Sequence, residues 1–124
     1  VEWDKAKALA AIENILTDNP DLQDVLSDIY LMVYVILQAL AGAGNDDVAV
    51  LAIDVSTVGI QVVLDFKLLA DNTQDTMSMG SMAAEFAIGM ANGEIEPGSL
   101  EKYFDSGTTT VTIDNAEEAM ERAF

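Results

Sequence analysis

Apolar positions along the chain switch repeatedly between a helical and an extended period. From Asp4 to Asp18, residues Ala8, Leu9, Ile12, Ile15 and Leu16 recur at three- and four-residue steps, which lines one face of an amphipathic helix. Asp4 is placed to cap the first turn. Asn19-Pro20 ends the helix, because a residue before proline is driven out of helical geometry. Leu22–Ile29 reads as a short strand built on Val25 and Leu26. Leu31–Ala41 follows as a helix that is apolar nearly all round, a pattern that requires burial against a sheet, and Gly42 and Gly44 stop it.

Val48–Ile53 (VAVLAI) is the clearest strand, since an unbroken β-branched and apolar run suits a position covered on both faces. Ser56–Asp65 predicts a helix that packs through Val58, Val62 and Val63; valine is a weak helix former, so tertiary contacts must hold it. A strand is due at Lys67–Thr73, where Asp71 and Asn72 make it a poor one. Thr76–Asn92 is a long helix with Met77, Met79, Met82, Phe86, Ile88 and Met90, capped by Thr76 and closed by Asn92-Gly93. Its methionines read either as a core stripe or as an adaptable partner surface. Glu94–Ser106 is turn-rich, Thr108–Ile113 is a threonine and valine strand, and Asp114 opens a terminal helix that runs to Phe124.

Helices alternating with strands at this spacing predict an α/β fold, a three-layer sandwich on a mainly parallel sheet, because parallel neighbours need crossover connections. A length of 124 residues suits one domain, 1–124. In such sheets ligands meet the carboxyl ends of the strands. That rule singles out Ser27–Tyr30, Asp54–Thr57 and Thr73–Thr76.

Composition narrows the chemistry. Acidic residues number 22 against 5 basic ones, for a formal charge of −17, and about half the residues are apolar, enough for a core. Nucleic-acid binding is disfavoured, since phosphate contacts require clustered Lys or Arg. Membrane insertion is disfavoured as well, because Leu26–Ala43 is interrupted by Ser27, Asp28, Tyr30 and Gln38. Histidine and cysteine are both absent, which removes Ser-His and Cys-His nucleophile systems and soft zinc sites. Gly42-Ala43-Gly44 precedes a strand and so is not a phosphate loop. No cofactor is expected.

Asp54 closes the best strand, where it either accepts from ligand hydroxyls or amines or caps the helix that follows. Gln74 stands just before the next helix and carries a donor and an acceptor in one amide.

The stretches AIENILTDNPDLQDVLSDIYLM, VILQALAGAGNDDVAVLAIDVSTVGIQVVLDFKLLADNTQ, MGSMAAEFAIGMANGE and IDNAEEA, in that order, resemble the C-terminal lobe of periplasmic sugar-binding proteins of the ribose-binding type, the substrate receptors of ABC importers. The resemblance implies a polar set at the strand ends: an Asn-Asp pair, a strand-end Asp and a Gln before a helix. Asp54 and Gln74 match the last two. Ile29 and Tyr30 stand in place of the pair, and neither replaces its hydrogen bonds. Val55 and Phe66 stand where the family has turn glycines, and Ile113 where it has a lysine.

The expectation is therefore a non-catalytic lobe, a fragment or derivative of a sugar receptor, that contacts a monosaccharide through Asp54 and Gln74 with Tyr30 stacking on a sugar face. The family setting is periplasmic or extracellular. The alternative is an engineered or degenerated structural domain that holds no small molecule. Either form leaves sheet edges to be covered, which suggests a homodimer through an exposed edge.

Overall fold

The computed structural model describes residues 4–54 and 56–122, and the side chain of Tyr30 is outside that description. Among the described residues, five helices and four strands follow in the order α1 (Lys5–Asp18), β1 (Asp24–Ser27), α2 (Tyr30–Ala43), β2 (Ala49–Ile53), α3 (Thr57–Leu64), β3 (Ala70–Gln74), α4 (Thr76–Ala91), β4 (Thr108–Val111) and α5 (Ala116–Arg122). Val55 and the terminal Phe124 lie outside the described residues. Two compact units emerge. One comprises residues up to Thr73 together with those from Thr110 onward; the other is Gln74–Thr109.

The sheet has the order β1-β2-β3-β4. The first three strands are parallel, with Val25 opposite Val50, Ser27 opposite Ala52, and Ala52 opposite Asp71. At β4 the sense reverses: the Thr110 hydroxyl donates to Asn72 Oδ1 at 3.1 Å, while the Asp75 amide donates to Gly107 O at 3.3 Å, so rising numbers on one strand meet falling numbers on the other. The sheet is thus mainly parallel with an antiparallel edge.

In the larger unit, Ile12 and Leu16 of α1, Val33, Ile36 and Leu40 of α2, Val50 and Ala52 of β2, and Ile60 and Val63 of α3 form one buried cluster, which Val111 and Ala116 complete. Fully burying each of the Val, Leu and Ile side chains is worth about 1.5–3 kcal/mol. That compensates the poor propensity of the valines in α3 and explains why α2 can be apolar on most of its circumference.

Helix ends follow local chemistry. Asp4 Oδ1 accepts from the amides of Ala6 and Lys7, and Ser56 Oγ accepts from Gly59 N at 2.9 Å. The cap of α4 is Asp75, one residue before the expected Thr76: its carboxylate takes the Ser78 amide at 2.8 Å and the Ser78 hydroxyl at 2.7 Å. Those bonds, the amide foremost, hold Asp75 below the usual carboxylate range.

Three helices close with the same paired bonds, a six-to-one bond around a five-to-two bond, each with a left-handed residue at the turn. Asn45 N reaches Leu40 O around Gly44, Glu94 N reaches Gly89 O around Gly93, and Lys67 N reaches Val62 O around Phe66. Phe66 is the exception to the glycine rule: its φ is 57° and its side chain is 82 % exposed. The turn survives without its glycine.

Candidate functional site

In the larger unit the carboxyl ends of β1 and β2 lie side by side. After β1 the Ser27 hydroxyl donates to Ile29 O at 2.7 Å, which folds the chain into α2. Ile29 caps α2 with no side-chain acceptor, and Tyr30 opens the helix. After β2 comes Asp54, half-buried, whose amide donates to Asn72 O at 3.2 Å and so extends the β2–β3 ladder by one residue. The capping side chain of α3 is Ser56, two residues on. Of the two roles open to Asp54 in sequence, the cap thus has another occupant.

Gln74 is the last residue of β3, is exposed, and belongs to the smaller unit. Each of the sequence-selected positions therefore stands at a strand end or a helix start. Asp54 and the Ser27–Ile29 turn are neighbours through the paired strands β1 and β2.

One further polar residue, by its type only a poor strand former, stands out in the structure. Asp71 is the second residue of β3, opposite Ala52, is fully buried, and neither carboxylate oxygen has a hydrogen-bond partner. Burial pushes its pKa up to about 6; the Asp54 amide nearby works against that rise, and the Asp54 charge adds to it. No sequence signal marks the site, because a carboxylate on a strand becomes exceptional only once a helix is packed over it.

Two cavities lie in the larger unit, away from the strand ends just described. One of about 660 Å³ is bordered by Leu9, Glu13, Pro20, Gln38 and Asn45. Another of about 760 Å³ opens beside the amino ends of β2 and β3, among Tyr34, Leu37, Leu40, Phe66 and Leu69. Its walls are mainly apolar and offer little to a polyol. Among the described residues no group of three or more acidic, His or Cys side chains could hold a metal ion, and no helix is long and apolar enough to cross a membrane.

Comparison with known proteins bears directly on this arrangement. No family model matches the chain. Over 93 residues it is 34% identical to the ribose import binding protein of Salmonella typhimurium, which covers 75% of this chain and 31% of that protein. The crystal structure of an ABC transporter periplasmic solute-binding protein from Actinobacillus succinogenes, with bound D-allose, superposes with a TM-score of 0.81 at 21% identity, over 94% of this chain and 40% of that one. An ABC transporter solute-binding protein from Mycobacterium smegmatis, with bound glycerol, gives 0.76 at 28% identity over 92% of this chain and 38% of its own.

The chain has the single-lobe fold of ABC-transporter sugar-binding proteins.

This lobe spans about a third of the length of the ribose-binding relatives it matches. Its α/β architecture, with a mainly parallel sheet flanked by helices, is that of the matched structures. The relatives it matches are binding proteins by name.

Proposed function

We propose that this lobe recognises a monosaccharide or a similar polyol without altering it, as half of a receptor surface of the kind that serves ABC import in a periplasmic or extracellular setting. The observation that carries the reading is the position of Asp54: half-buried, one residue past β2, with its backbone tied to Asn72. A carboxylate held there accepts hydrogen bonds from vicinal hydroxyls, and charged acceptors make the stronger bonds. Gln74 and Tyr30 are the other two residues that the sequence offers for such contacts, an amide with a donor and an acceptor and an aromatic. Relatives that were solved with bound D-allose and glycerol support a hydroxyl-rich ligand.

Titration calorimetry and thermal melting with a panel of pentoses and hexoses test this. Expected is a rise in melting temperature at millimolar sugar that Asp54→Ala abolishes. Absence of both heat and shift across the panel would overturn it. That result would favour the second reading, a half-lobe that folds without a small ligand, which Ile29 supports, since it caps α2 with no polar side chain to offer a ligand.

A further inference from the structure

The cleft of about 760 Å³ lies at the amino ends of β2 and β3, away from Asp54. Its volume falls within the roughly 300–1,000 Å³ of small-molecule sites. Leu40 of α2, Val50 of β2 and Val63 of α3 give it apolar walls that belong to the buried core. Four large side chains on its border stay exposed: Tyr34, Phe66, Leu69 and Ile113, from 42 % for Ile113 to 82 % for Phe66. They come from α2, from the turns that follow α3, and from the segment after β4. An apolar body seated here would remove wall and border from water together.

Phe66 is the more telling of the four. Its φ of 57° is a conformation suited to glycine, and a ring left mostly in water offsets little of that strain. A strained residue held at the mouth of a cleft is the kind of outlier that marks a binding position.

Charge decides which apolar body fits. Among the described residues that border the cleft, Asp46 and Asp47 are acidic, both exposed in the turn that leads into β2, and Lys67 is basic. The border is therefore net negative, in a chain of formal charge −17. An anionic amphiphile is repelled and a cationic one attracted. The aromatic rings of Tyr34 and Phe66 act in the same direction, since ring faces draw cations.

We propose that this cleft binds a lipophilic ammonium compound, its tail against Leu40, Val50 and Val63 and its head beside Asp46, Asp47 and the rings of Tyr34 and Phe66. The site is independent of any sugar contact at Asp54.

Three probes with the same decyl tail and different heads test this: decylammonium, decanol and decanoate. Each is titrated below its micellar concentration into the full chain, at neutral pH and about 0.1 M salt, with calorimetry for affinity and amide NMR shifts for location. Expected is a dissociation constant for decylammonium at least about tenfold below that for decanol, with no binding of decanoate. The shifts should centre on the amides around Leu40, Val50 and Phe66. Replacing both Asp46→Asn and Asp47→Asn removes the preference for the amine while leaving most of the chain's charge. Phe66→Gly weakens the amine about two- to fivefold, although it relieves the turn. Loss of binding is thereby separated from loss of fold. Equal affinity for the amine and decanol overturns the proposal, as does no binding of any probe. A preference for the amine that survives the paired asparagine substitutions also overturns it, because overall charge would then be the cause.

Discussion

Asp71 and Gly59 are matched in shape: a Cβ built on Gly59 would stand 2.5 Å from Asp71 Oδ2 and 3.3 Å from Ser56 Oγ. The absence of a side chain in the first turn of α3 is what lets the helix close over the strand carboxylate. Gly59→Ala should therefore destabilise, because the carboxylate is enclosed and has no open side to move into; overpacking of this kind costs about 1–3 kcal/mol and outweighs the helix propensity gained. Combined with Asp71→Ala, the same change should become neutral or stabilising. Urea denaturation of the two single variants and the double variant measures the coupling, and strictly additive effects would contradict it.

The same carboxylate makes stability depend on pH. Its pKa in the folded chain, about 6, lies above the ordinary 3.8, so the folded state holds the proton more tightly than the unfolded chain does. Below pH 3.8 both states are protonated and there is no penalty. Between there and about 6 the penalty grows, reaching on the order of 3 kcal/mol above that range. Asp71→Asn should therefore gain over the parent as pH rises from 4 to 7 and gain nothing at pH 3. Chemical denaturation at each pH checks the crossover; a difference independent of pH would mean that the carboxylate is not what titrates.

Phe66 holds a left-handed conformation that disfavours any side chain, at about 1–2 kcal/mol. Since the ring is mostly exposed, little packing offsets the strain. Phe66→Gly should raise stability by about 1 kcal/mol after allowing for the greater freedom of glycine in the unfolded chain. An increase in the denaturation midpoint with an unchanged slope is the expected readout.

Salt should stabilise the fold. With a formal charge of −17, the compact state brings like charges closer than the unfolded chain does, and screening acts over about 8–10 Å at moderate ionic strength. The melting temperature should climb between low salt and about 0.5 M. A melting temperature that stays constant would show that the acidic residues are spaced widely enough not to interact.

Much of this was legible in the chain itself. The step from Ile12 to Leu16 gave α1, observed as Lys5–Asp18, and the run VAVLAI gave β2, observed as Ala49–Ile53. Both patterns are local, with a period that only one geometry satisfies. Asp54 and Gln74 were selected by the rule for strand ends, which needs only the order of elements. Its neighbour β3 was harder: Asp71 and Asn72 are poor strand residues, yet they pair in register with Ala52 and Ile53, and Leu69 N donates to Val50 O at 2.7 Å. Pairing with a buried strand overrode propensity there.

By itself the sequence determined which segments are helical or extended, the absence of histidine and cysteine chemistry, and the strong acidity of the chain. Only the tertiary structure decided that Asp71 lies sealed beneath Gly59, that Phe66 occupies a turn built for glycine, and that Tyr34 and Ile113, far apart in the chain, border one apolar cleft. Those three depend on what stands across from a residue, not on what stands next to it in the chain. Burial, strain and complementarity are properties of pairs of surfaces, and the pairs exist only after the fold brings them together.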